Sequence, residues 1–279
     1  MFALGYPSRW IRAFLVVLII SLMGCDFSLD FGGGGGGGDS KPPEALPPSV
    51  ISIEPDLGSN QVPINTSVVF RFNFVMDPAT VTPSTVSLKS GSVSVAGTVV
   101  ASAYIGGDFT FIPAYWLAPN TEYIFTVSRN VKDIGGTSME DDFVISFTTG
   151  TSIDSTPPVV SATQPEAGAG GVWIDPDLSA TFSEVMDPTS FEASSFRLST
   201  GGVEITGSVY YNHNDLTVRF YPYHRTEYED TGVIIEGPLS LDPGTTYTAI
   251  ISGAVWDLAG NALGEDYSWT FTTQPVPVD

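Results

Sequence analysis

At 279 residues the chain has room for two ordinary domains, each able to bury its own core. Hydrophobic residues make up 42% and aromatic residues 12%, against only 15% charged, a palette of short strands and turns rather than helices. The net charge of −21 argues against nucleic acid and anionic lipid as partners.

The amino terminus reads as an export signal. Arg9 and Arg12 precede an apolar run from Ala13 to Met23 that stops at Gly24-Cys25. A spanning helix needs about 20 apolar residues, so this run is too short and is expected to be removed. Leu22-Met23-Gly24-Cys25 resembles the lipobox of bacterial lipoproteins, with Met23 where a smaller residue is commoner. The resemblance implies cleavage after Gly24 and acylation of Cys25, which anchors the chain to a membrane of the cell envelope; inner and outer membrane both stay open. Cys25 is the sole cysteine, so no internal disulfide can form and stability must come from packing. Residues 1–24 hold two arginines and no acids, and their loss takes the net charge from −21 to −23.

Residues 25–46 include seven consecutive glycines, Gly32 to Gly38. They lack the strand-then-helix setting of a phosphate loop and read as a flexible tether spanning roughly 25 Å.

Beyond the tether the chain repeats itself. Pro47-Pro48 recurs as Pro157-Pro158, and Val75-Met76-Asp77-Pro78 as Val185-Met186-Asp187-Pro188, both 110 residues later. Phe109 to Pro113 answers Val218 to Pro222 at an offset of 109. Then the offset jumps to 124: Leu117 to Tyr123 pairs with Leu241 to Tyr247, and Ser146 to Thr149 with Thr270 to Thr273. The second copy thus carries about 15 extra residues, assigned to an insertion over 223–240. The expected layout is one domain over 47–150, a linker over 151–156, a second domain over 157–274 and a tail over 275–279.

Each copy reads as seven short strands with turn residues between them, an all-β fold of two tandem sandwiches. In the first copy they are expected near 50–53, 67–74, 85–89, 94–101, 108–113, 122–128 and 143–149. Val68, Phe70, Phe72 and Phe74 alternate with Val69, Arg71 and Asn73, which gives one strand an apolar face and a mixed one.

Five motifs occur in order, twice: Pro-Pro with a third Pro seven residues on (Ser-x-x-Pro in the first copy, Ala-x-x-Pro in the second), Phe-x-x-x-Met-Asp-Pro, Leu-x-Pro-x-Thr-x-Tyr, Asp-x-x-Gly and Phe-Thr-Thr. Together they resemble the bacterial immunoglobulin-like domain of the S-layer SbsA type. The first copy departs from the pattern at Asp133 to Thr137, where the second keeps Asp-x-Ala-Gly-Asn as Asp257 to Asn261. The resemblance implies a structural or adhesive role at the cell surface and names no ligand.

No catalytic constellation emerges, and the chain is expected not to be an enzyme. His213 and His224 belong to no metal or triad pattern and read as exposed loop or strand-end residues. Tyr210, Tyr211, Tyr221, Tyr223 and Tyr228 crowd the second copy; sheet packing accounts for them, with a glycan-stacking platform as the alternative. Strand parity gathers Asp154, Asp187 and Asp257 at the pole where the chain enters the second copy, a candidate calcium site; the competing reading is side-chain-capped turns. The same parity puts the insertion at the opposite pole. There Tyr223, Glu227, Tyr228, Glu229 and Asp230 are candidate contacts for an envelope protein or polysaccharide.

Overall fold

The computed structural model describes residues 46–102, 107–228 and 233–276, with backbone alone over 224–228 and 233–238. The expected signal peptide, Cys25 and the glycine tether lie outside the described residues. Repeat 1 contains β1 (Val50–Glu54), β2 (Val68–Phe72), β3 (Val86–Ser90), β4 (Val93–Ser94), β5 (Gly97–Ala101), β6 (Asp108–Pro113), β7 (Glu122–Val127) and β8 (Phe143–Thr148). Its two antiparallel sheets run β1-β2-β6-β5 and β4-β3-β7-β8. The single strand expected over 94–101 is divided: β4 finishes one sheet and β5 begins the other, so the chain changes sheets between them.

Repeat 2 contains β9 (Val160–Gln164), β10 (Leu178–Phe182), β11 (Phe196–Thr200), β12 (Val203–Ile205), β13 (Gly207–Asn212), β14 (Thr217–Tyr228), β15 (Val233–Pro238), β16 (Thr246–Ile251) and β17 (Tyr267–Thr272). Its sheets are β13-β14-β10-β9 and β12-β11-β16-β17, the same order as in repeat 1. The insertion is a β-hairpin. β14 runs on past Pro222 and pairs with β15, from Tyr223 opposite Pro238 to Tyr228 opposite Val233.

Alternation sets the cores. Phe70 and Phe72 of β2 meet Phe109 of β6 at ring-centroid distances of 5.8 Å each, and Phe125 of β7 closes on Phe70 at 5.2 Å. Repeat 2 moves bulk to its other sheet. Ala180 stands where Phe70 does, while Phe196 and Trp269 replace Val86 and Ile145 and pack together at 5.6 Å. Such an exchange of volume across the two sheets keeps the core filled. Phe74 lies beyond the end of β2 and is exposed.

The repeated motifs are ties rather than sites. The Tyr123 hydroxyl accepts the N–H of Ala118 at 2.8 Å, and Tyr247 does the same for Asp242 at 2.8 Å. The last Thr of each Phe-Thr-Thr donates to that loop: Thr149 to the Ala118 carbonyl and Thr273 to the Asp242 carbonyl, both at 2.6 Å. Asp133 Oδ1 accepts the Thr137 N–H at 2.8 Å, as Asp257 Oδ1 accepts that of Asn261 at 2.8 Å. Gly136 and Gly260 sit at φ 84° and 87° in the matching turns. The departure in the repeat 1 loop therefore leaves its turn unchanged.

Candidate functional site

The residues with the most unusual chemistry lie where the repeats meet; both belong to one compact unit, residues 45–279. Pairing puts Val69 opposite Thr110 and Arg71 opposite Asp108 on β2 and β6, on the face turned away from the core of repeat 1. That face is not open to water: Val69 is 0% exposed although it is not part of the repeat 1 core. The pole of repeat 2 carrying Asp187, Asn212, His213 and Leu258 covers it.

Arg71 is the centre of the joint. Its Nε and Nη2 donate to Asp108 Oδ1 and Oδ2 at 2.7 and 2.6 Å, a bidentate buried pair. Across the joint Nη1 donates to Asn212 Oδ1 at 2.9 Å and Nη2 to the Tyr211 carbonyl at 3.3 Å. The guanidinium lies 5.4 Å from the centre of the Tyr210 ring. Burial works against its charge, but the hydrogen bonds and charge of Asp108 outweigh burial and raise its pKa above the ordinary value. Burial also pushes up the Tyr211 phenol, whose oxygen accepts the Met186 N–H at 2.9 Å.

His213, expected to be exposed, is 5% exposed. Its Nε2 is 2.7 Å from Ser52 Oγ of repeat 1, and its Nδ1 is 3.4 Å from Asp108 Oδ1 without a hydrogen bond. The reason for the difference is tertiary: the turn after β13 is pressed onto the repeat 1 sheet. His224 has no described side chain.

The linker is fastened too. Asn65 Nδ2 donates to the Asp154 carbonyl at 2.8 Å while Asn65 Oδ1 accepts the Asp154 N–H at 2.9 Å. Thr110 donates to Asp187 Oδ1 at 2.9 Å, and the Ser67 N–H to the Leu258 carbonyl at 2.8 Å.

Of the three carboxylates expected to share a cation, the structure brings Asp154 and Asp257 together, with Glu184 as the third; their oxygens lie within 4.8 Å of one another. Asp187 is not in the group. Its Oδ1 is taken by Thr110 and by the N–H and hydroxyl of Thr189, the capped turn that was the competing reading. Asp257 also caps a turn, with Oδ1 accepting from Ala259 and Asn261 and Oδ2 from the Asn261 amide. Asp154, Glu184 and Asp257 are therefore the described residues that could hold a divalent cation, each with one oxygen. Burial raises the Glu184 pKa, and the charges of Asp257 and Asp154 raise it further.

The tyrosine cluster divides by role. Tyr211 is core, Tyr210 faces Arg71, Tyr221 is exposed and Tyr223 is partly buried at the base of the hairpin. Only the backbone of Glu227 and Tyr228 is described, and Glu229 and Asp230 lie outside the described residues. Sequence reasoning missed Arg71, Asp108 and Glu184. The one signal for the first two was a charged residue within a strand, Arg71 inside β2 and Asp108 at the head of β6, where repeat 2 has Thr181 and Thr217.

A family profile described as the bacterial Ig-like domain matches residues 44–149 and 154–273. No curated protein matches the chain. Among solved structures, the N-terminal part of the bacterial S-layer protein SbsC is 16% identical over 81% of this chain and 44% of its own, with a TM-score of 0.31. A chimeric titin Z1Z2 is 12% identical over 83% and 97%, TM-score 0.32, and an L,D-transpeptidase from Mycobacterium smegmatis 16% over 63% and 76%, TM-score 0.28. The chain spans less than half the length of the SbsC structures it matches. With both of its repeats matched in full, the chain belongs to the bacterial Ig-like domain family.

Proposed function

We propose that this chain is a non-catalytic, lipid-anchored protein of the cell envelope, in which two Ig-like domains of the SbsA type act as one structural arm that presents repeat 2 to a partner. The observation that carries the reading is the joint. A bidentate Arg71–Asp108 pair, shared with Asn212 and Tyr211 of repeat 2, holds the repeats in a fixed relation, which suits a spacer. The candidate contact for the partner is the hairpin from Tyr223 to Pro238, which repeat 1 lacks. Function tends to sit on such excursions from a rigid scaffold. The anchor rests on the lipobox resemblance at Cys25.

Metabolic labelling with a fatty-acid probe tests the anchor. The parent chain is expected to be labelled and to sediment with membranes, and Cys25→Ser to be unlabelled. Labelling that persists in Cys25→Ser, or a soluble unlabelled parent, rejects the anchor.

A further inference from the structure

Beside the Arg71 joint lies a cleft of about 290 Å³ between the repeats. One wall is repeat 1, from Ile64 to Ser67 and from Ile112 to Trp116; the other is Asp187 and the turn from Trp256 to Gly260 of repeat 2. Three large aromatic side chains line it and keep much of their surface in water: Tyr115 is 83% exposed, Trp116 66% and Trp256 38%. Among the described residues none of these rings stacks on another aromatic ring. Tyr115 and Trp116 forgo most of the roughly 150–250 Å² that an aromatic side chain can bury, so their exposure calls for an occupant. The fold does not require them. The matching turn of repeat 2 carries Leu239-Ser240 in place of Tyr115-Trp116.

The chemistry of the walls selects the occupant. Among the described residues no Lys, Arg or His lines the cleft, and the chain carries a net charge of −21, so an anion is disfavoured. The two lining carboxylates are nearly buried and already bonded, Asp187 by Thr110 and Thr189, Asp257 by Ala259 and Asn261. Those neutral donors fix both carboxylates in the cleft wall, and their remaining lone pairs suit hydroxyl donors. Flat rings beside hydroxyl acceptors fit a molecule with an apolar face and a polar rim. The volume sits near the lower end of the roughly 300–1,000 Å³ of ligand clefts, room for a sugar unit or two with more chain outside.

We propose that the inter-repeat cleft binds a neutral glycan, with a pyranose ring against Trp116 and Tyr115 and its hydroxyls toward Asp187 and Asp257. The site is separate from the hairpin and from the lipid anchor, and it uses the joint to hold its two walls in register. Equilibrium binding to the full chain in detergent tests it, read by tryptophan fluorescence. The ligands are a panel of neutral hexose and N-acetylhexosamine oligosaccharides, with polygalacturonate and tetramethylammonium chloride as anionic and cationic counterparts. Binding to at least one neutral oligosaccharide is expected, weakened at least tenfold in both Trp116→Ala and Tyr115→Ala with melting temperatures unchanged. Both side chains are exposed, so Tyr115→Ala reports even where Trp116→Ala folds poorly. Cys25→Ser is expected to bind as the parent does, which separates this site from the anchor. The proposal is overturned if no neutral member of the panel binds, if only polygalacturonate or tetramethylammonium binds, or if both aromatic variants bind with parental affinity.

Discussion

The same sheet face has two fates in the two repeats. In repeat 1 it presents Val69, Arg71, Asp108 and Thr110; at the matching places repeat 2 has Ser179, Thr181, Thr217 and Arg219. Each face has one arginine with one aspartate, but the pairs differ in kind. Arg71 and Asp108 face each other across two strands and are buried under the neighbouring repeat. Arg219 reaches back four residues to Asp215 at 2.7 Å in partial contact with water, and Thr181 and Thr217 simply bond each other at 3.0 Å. The lesson concerns context: an ion pair on this fold becomes structural only where another domain excludes water from it.

The largest effect should come from breaking the buried pair. Asp108→Ala leaves the Arg71 guanidinium uncompensated, and chemical denaturation is expected to show a loss of about 3–5 kcal/mol. Asp215→Ala, at the exposed counterpart, is expected to cost no more than about 1 kcal/mol. Equal losses would mean that the covering domain does not matter.

A second contrast should vanish rather than appear. Gly97 and Gly207 open β5 and β13, and a Cβ on either would strike the ring of Phe111 or Phe220 respectively. Gly97→Ala and Gly207→Ala are each expected to cost about 1–3 kcal/mol by overpacking. A loss in one repeat only would show that the cores differ more than their shared topology implies.

Glu184 sharpens the comparison, because repeat 1 has Phe74 at that place. An acid whose pKa is raised on folding lowers stability when both states are ionised, and the cost disappears as pH falls below both values. Burial, then Asp257 and Asp154, raise the pKa of Glu184. Without added metal, Glu184→Gln is thus expected to be more stable than the parent at pH 7 by about a few tenths of a kcal/mol, allowing for solvent screening. The difference should close by about pH 4. Millimolar calcium is expected to reverse the order by stabilising only the parent. Thermal melts across pH, with and without calcium, check both signs.

The smallest effect on stability is expected from exchanging 223–238 for a short Gly-Ser turn, which makes repeat 2 resemble repeat 1. The melting temperature should stay nearly constant while binding to the cell surface is lost. A large drop in melting temperature, with surface binding kept by the folded fraction, would return the hairpin to a purely structural role.

Most of this architecture was legible in the chain. The duplicated motifs set two copies of one fold, and the alternation at Val68 to Phe72 set which side of β2 faces the core. Strand parity also put Asp154, Asp187 and Asp257 at one pole, because successive antiparallel strands must reverse direction. These are local rules, satisfied within a few residues or a single pairing.

What lies over the outer face of β2 was decided by tertiary structure alone. Alternation says that Val69 and Arg71 point away from the core, and in most sheets that means toward water. Here the linker, pinned between Asn65 and Asp154, brings the pole of repeat 2 back onto that face. Burial then turned Arg71 and Asp108 from surface charges into a joint, enclosed His213, exchanged Asp187 for Glu184 beside Asp154 and Asp257, and set Trp116 across from Trp256. No periodicity within one repeat encodes such a contact, because it depends on how two already folded bodies meet.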